Sequence, residues 1–138
     1  MNRADLQKIS QMRRADAHAL LSAGRFAGAY YLAGYAVECA LKACIAKQIG
    51  HHDFPDKKLV NDAHTHDLDK LVRLAGLQPD LESELKKSPD LEINWSVVKE
   101  WSEQKRYDRG VSKARAKDLY SACVARKYGV LAWIKKRW

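Results

Sequence analysis

Glycine and proline are scarce in this chain, with 7 and 3 residues among 138. A fold made of many strands and tight turns needs more of both, so an all-β architecture is excluded at the outset. Long apolar runs are also missing. The longest stretch without a charge, Phe26 to Val37, is too short to cross a bilayer. No charged, apolar and small-residue pattern opens the chain, so the expected location is the cytoplasm. Cysteine is limited to Cys39, Cys44 and Cys123, an odd number whose first two members sit inside a helical pattern. They read as reduced, small core residues. Neither a Gly-rich phosphate loop nor a supported Ser-His-Asp or Cys-His arrangement is present, and no cofactor is expected.

What the chain does have is charge in an uneven arrangement. Residues 1–104 carry 14 basic and 15 acidic side chains, whereas residues 105–138 carry 11 basic and 2 acidic. The net charge of +8 therefore resides in the last quarter, which points to a solvated basic face or to an anionic partner there.

Apolar residues recur at helical spacing through most of the chain. One helix is expected over 4–23, with Leu6, Ile9, Met12, Ala15, Ala19 and Leu20 inward and Gly24 as its stop. A second is expected over 25–49, apolar nearly all round and hence central. Residues 50–63 read as a loop, and short helices are expected at 66–75 and from Pro79 to before Pro89. Asp90 is the expected cap of a helix to about residue 104, with Ile93, Val97, Val98 and Trp101 inward and Trp95 half-buried. "KRYDRGVS" (105–112) forms a junction, and a last helix is expected over 113–136. The sum is one all-α domain over 1–138: an up-and-down bundle of four long helices with one or two short helices in the middle connection.

The central helix contains "AYYLAGYAVECALKA" (29–43), with one carboxylate, Glu38, in its apolar middle. Tyr31, Tyr35, Glu38 and Lys42 are three or four residues apart and share one face, a candidate polar pocket. An exposed Glu38–Lys42 pair would contribute only ~0.3 kcal/mol. A buried glutamate demands a cation and hydrogen bonds. The expected cations are Arg106 and Arg109, with Tyr107 between them, so that Glu38 either fixes helix register or orients an arginine at a pocket.

Three segments resemble the HEPN superfamily of prokaryotic helical bundles: "AYYLAGYAVECALKA", "HTHDLDKLVRLAG" (64–76) and "WSEQKRYDRG" (101–110). The resemblance implies an all-α domain, commonly a homodimer, that binds or acts on RNA or nucleotides. Some relatives pair with a nucleotidyltransferase as toxin and antitoxin. Active members place Arg-x(4–6)-His near the start of the last helix, where the arginine stabilises phosphate charge and the histidine moves the proton. Arg106 or Arg109 matches the arginine, but the last histidine of the chain is His66. The expected function is therefore a nucleotide- or RNA-binding, toxin–antitoxin-type module without nuclease activity, using Arg106, Tyr107, Arg109, Lys113, Arg115 and Lys117 on phosphates. The alternatives are a metal-independent endoribonuclease with catalytic Arg106 and a non-standard base, or an interaction subunit for a nucleotidyltransferase.

Other features compete for a role. Arg13 and His18 have the catalytic spacing but stand in the first helix, the wrong place for it. His51, His52, Asp53, Asp62, His64 and His66 crowd one region without matching a zinc pattern, and no metal is expected. A histidine of this group replacing the missing base is an open possibility. His64 or Thr65 is the expected cap of the third helix. Trp133 and Trp138 among Lys135, Lys136 and Arg137 would either stack on single-stranded bases or form a subunit contact, the contact being favoured.

Overall fold

A computed structural model describes residues 2–49, 57–102 and 110–138. Among the described residues eight helices follow in order: α1 (Arg3–Ser22), α2 (Phe26–Ile49), α3 (Lys57–Asp62), α4 (Leu68–Leu74), α5 (Gln78–Lys87), α6 (Pro89–Val98), α7 (Lys113–Val124) and α8 (Val130–Lys135). The protein is an all-α helical bundle with no strand among the described residues. None of these helices is long and apolar enough to cross a membrane.

α1 and α2 form an antiparallel hairpin. Asn2 and Asp5 make a reciprocal capping box that satisfies two of the orphan N–H groups of α1. Its other end closes on Gly24, whose φ of 77° is open to glycine at no steric cost. There Arg25 N–H donates to Leu20 O at 2.8 Å and Gly24 N–H to Leu21 O at 3.2 Å. Gly76 (φ 72°) ends α4 in the same way, through Leu77 N–H to Val72 O.

The buried face of α1 is Leu6, Ser10 and Ala17, not the larger stripe expected from spacing. Met12 is 47% exposed, and Ala15 and Ala19 also face outward. The reason lies in α2, whose Ala29, Ala33, Ala36, Ala40 and Ala43 are buried and present almost no side-chain volume. Small residues on α1 let the two backbones approach until the Ser10 hydroxyl donates to Ala36 O at 2.7 Å.

α2 is the central element, in contact with α1, α4, α7 and α8. Tyr30, Val37, Leu41 and Ile45 are buried on it, as expected of a helix apolar all round. Its Gly34 lies flat against the Trp101 indole, and a methyl group there would occupy the same space as the ring.

Three expected boundaries shift. Residues 57–62, read as loop, form α3. α6 starts at Pro89 with Ser88, not Asp90, as its cap, and ends at Val98. Its inward residues are Leu91, Trp95 and Val98, whereas Ile93 is 61% exposed and Trp95 is buried rather than half-buried. The final helix is two: Ala125 leaves helical geometry, and α8 restarts after Gly129. Gly129 N–H donates to Ala125 O at 3.0 Å in an approach so close that any side chain at 129 would strike the Ala125 backbone. That turn, with Asn94 donating to Tyr128 O, folds Val130, Leu131, Trp133 and Ile134 back onto the core. The chain then ends beside its beginning, with Arg3 donating to Trp138 O at 2.7 Å.

All three cysteines are buried and unpaired. Burial pushes the Cys39 and Cys44 thiols up to about 11 and Cys123 up to about 12. They stay protonated and unreactive near neutrality. Burial likewise raises Tyr30 and Tyr35.

Two outcomes are expected. Gly34→Ala should destabilise the bundle by roughly 1–3 kcal/mol through overpacking against Trp101, read as a lower urea midpoint with a shifted tryptophan emission. In the unfolded chain the thiols ionise near 9.0, while the folded chain keeps those protons until about 11 or 12. The unfolded state therefore binds fewer protons across that window, and stability falls as pH rises through it. The urea midpoint should be level from neutrality to about pH 8 and decline steadily above pH 9; a midpoint that rises above pH 9 would contradict the burial of the thiols.

Candidate functional site

Glu38 is 1% exposed, and its carboxylate is held by two groups. Lys42 Nζ lies 3.3 Å from Oε2, one helical turn along α2. His66 Nδ1 lies 2.8 Å from Oε1. The first contact follows from the i, i+4 spacing; the second joins segments 28 residues apart. Both partners reach solvent, with Lys42 and His66 side chains 21% and 41% exposed, so the carboxylate sits inside while the lysine and the imidazole form the rim.

His66 reaches Glu38 because α4 is capped at Asp67, two residues beyond Thr65. Asp67, not His64 or Thr65, accepts from Lys70 N–H at 3.2 Å, and Thr65 Oγ accepts from Asp67 N–H. This leaves the His66 side chain outside the capping scheme and directed at α2. His64 is exposed.

An aromatic shelf adjoins the carboxylate. Tyr31 stacks on Tyr35 and on Trp101, with ring centroids 6.0 Å apart in each case. Trp101 is 2% exposed, wedged between the shelf and Gly34. Above these lies a cleft of about 510 Å³ lined by Thr65, His66, Asp67, Lys99, Glu100, Trp101 and Ser102. The expected group of Tyr31, Tyr35, Glu38 and Lys42 thus does share one face. Spacing within α2 could not reveal His66 and Trp101, because each arrives from a different helix. In the sequence His66 stood out only as one of the histidines that could replace the missing base, with no sign that it would meet Glu38.

Arg106, Tyr107 and Arg109, expected beside Glu38, lie outside the described residues, as do His51, His52 and Asp53. The basic residues of α7 are visible: Lys113, Arg115 and Lys117 are all exposed. The Arg115 guanidinium lies over the Tyr30 ring at 5.0 Å, which brings the start of α7 against the start of α2. Arg25, Phe26, Gly28 and Val111 line a depression of about 360 Å³ at this end. α1 runs antiparallel to both, its His18 ring near Tyr120 of α7 and its Ser10 on Ala36 of α2. α2 and α7 are consequently parallel, and their positive dipole ends emerge together.

The charges there run against the usual preference. α1, α4, α5 and α6 each carry an acidic residue in the first turn. α2, α7 and the short α3 and α8 carry none, and Lys113 and Arg115 occupy the first turn of α7. Cations at a helix N-terminus repel its dipole, typically by 0.3–1 kcal/mol each when exposed. An anion would relieve both.

The other basic cluster is at the opposite end and is engaged. Arg137 stacks on Trp133 at 3.9 Å and donates to Trp133 O, and Lys135 lies over Trp138. Burial lowers the Lys135 pKa, with the Arg14 charge adding to it. Trp133 is buried, so the alternative of bases stacking on it does not fit. Arg13 pairs with Asp16 at 2.7 Å while His18 turns to Tyr120, so their catalytic spacing joins nothing. Among the described residues no three His, Cys, Asp or Glu side chains are grouped to hold a metal.

Removing both partners should be worse than removing the carboxylate. Lys42→Met with His66→Phe leaves a buried carboxylate uncompensated and is expected to destabilise by roughly 3–5 kcal/mol. Glu38→Leu leaves Lys42 and His66, both of which solvent reaches, and substitutes an apolar side chain in an apolar site, so its loss should be smaller. Urea denaturation of the two variants gives the order.

No protein-family model, curated protein or solved structure matches the chain.

Proposed function

We propose that this is a HEPN-type helical module that binds the phosphates of RNA or of a nucleotide at the shared N-terminal end of α2 and α7, without cleaving them. The observation that carries the reading is the charge pattern at that end. Two parallel helices begin together with no carboxylate in either first turn, and with Lys113 and Arg115 placed where the dipole repels them. Lys117 lies one turn beyond Lys113, and Arg25 completes the basic rim. Such a site gains most from a phosphate, which helix N-termini and cations both attract.

The family resemblance supports the ligand class and also the expectation of a homodimer or a nucleotidyltransferase partner in a toxin–antitoxin pair. Arg106, Tyr107 and Arg109 precede this same helix in sequence and would extend the basic surface. The absence of a histidine after Arg106 argues for binding over catalysis.

Fluorescence anisotropy with a short labelled single-stranded RNA tests the reading. Affinity is expected to fall linearly on a log–log salt plot, and Lys113→Ala with Lys117→Ala should reduce the slope by about 1.4. The RNA is expected to remain intact in EDTA. No binding at low salt, or a slope unmoved by the double substitution, would reject the proposal.

A further inference from the structure

The depression where α2 and α7 begin differs from the other cavities in what lines it. The cleft beside Glu38 carries Asp67 and Glu100, and the cavity at Tyr128 carries Glu84. Gly24, Arg25, Phe26, Ala27, Gly28 and Val111 line the depression, and none of them is a carboxylate. Two glycines and an alanine add almost no side-chain volume to it. A Cβ placed on Gly24 would meet nothing within 4 Å, so that side is open. The chemical character of the depression therefore comes from three side chains: a cation, an aromatic ring and an aliphatic group.

Their burial is graded. Val111 is buried, Phe26 is half-buried against the core, and Arg25 is exposed. Among the described residues Phe26 stacks on no other ring, and Arg25 forms no ion pair. A partly open ring beside cations is the arrangement that holds single-stranded nucleic acid, with bases stacked on the aromatic side chain and cations along the phosphates. The depression, about 360 Å³, has room for a nucleobase. A base within a duplex is stacked on both faces and cannot enter, whereas an unpaired base can be splayed out.

We propose that this depression seats one unpaired nucleobase of a single-stranded RNA, with Phe26 as the stacking residue and Val111 as an apolar wall. The proposal rests on the phosphate-binding reading given above, and it adds a base contact that phosphates alone do not supply. Arg25 precedes Phe26 in the chain and Lys113 follows Val111 by two residues, so each apolar side chain has a cation close along the chain for a flanking phosphate. Every base has a π-face, so the seat is tolerant of sequence.

The test compares a short single-stranded RNA with an abasic strand of the same length, which keeps every phosphate and ribose but carries no base. The wild-type protein is expected to bind the RNA about tenfold more tightly. Phe26→Leu keeps an apolar side chain on the core and is expected to bind both strands with the wild-type affinity for the abasic one. Its salt slope should match that of the wild type, because no phosphate contact is lost. Phe26→Tyr keeps the ring and should keep the preference. Equal wild-type affinity for the two strands would overturn the base seat while leaving the phosphate reading standing. A preference that survives in Phe26→Leu, or disappears in Phe26→Tyr, would do the same. Loss of the abasic strand as well in Phe26→Leu would mark the ring as structural and overturn its assignment. Failure of the wild type to bind either strand would remove the phosphate reading, and the base seat with it.

Discussion

A single carboxylate, Glu38, sits in the most apolar part of the protein and ties two segments together. An ionised group there is tolerable only if its charge is met at close range, because the desolvation of an isolated carboxylate exceeds what the fold can absorb. Lys42 meets it from the same helix and His66 from the segment leading into α4. The position of that segment is thereby coupled to α2. The floor of the cleft is set from the other side by Trp101, which reaches the α2 backbone only because residue 34 has no side chain. Charge pairing and a missing methyl group together shape one surface.

The same small-residue chemistry governs the rest of the bundle. Alanines along α2 draw α1 close enough for a serine hydroxyl to bond a main-chain carbonyl. Tight packing of this kind removes water from around Cys39, Cys44 and Cys123 and leaves them as inert thiols. Large side chains fill other contacts of the core, with Trp95 on α6 and Trp133 on α8 both buried.

Basic residues concentrated in the last quarter of the chain do not form one surface. The break at Ala125–Gly129 reverses the path, so Lys113, Arg115 and Lys117 stand at one end while Lys135 and Arg137 stack on tryptophans at the other. The first group stands at the start of α7, where a helix dipole favours an anion. A cation stacked on an indole and bonded to a carbonyl has already found its partners. Net charge alone does not show this division, since it is a property of composition rather than of path.

Local chemistry determined much from the amino acids themselves. The helical character, the central place of α2, the glycine stops at 24 and 76, and the shared face of Tyr31, Tyr35, Glu38 and Lys42 all depend on residues within a few turns of one another. The true faces of α1 and α6 were less legible, because the period of a helix shows which residues align but not how near its neighbour comes. Ile93 and Met12 obey the period and still face outward. Three features were decided by tertiary structure alone: His66 on Glu38, Trp101 on Gly34, and the joint emergence of the α2 and α7 termini. Each brings together groups far apart in the chain, and their meeting follows from the packing of whole helices, which no spacing between neighbours encodes.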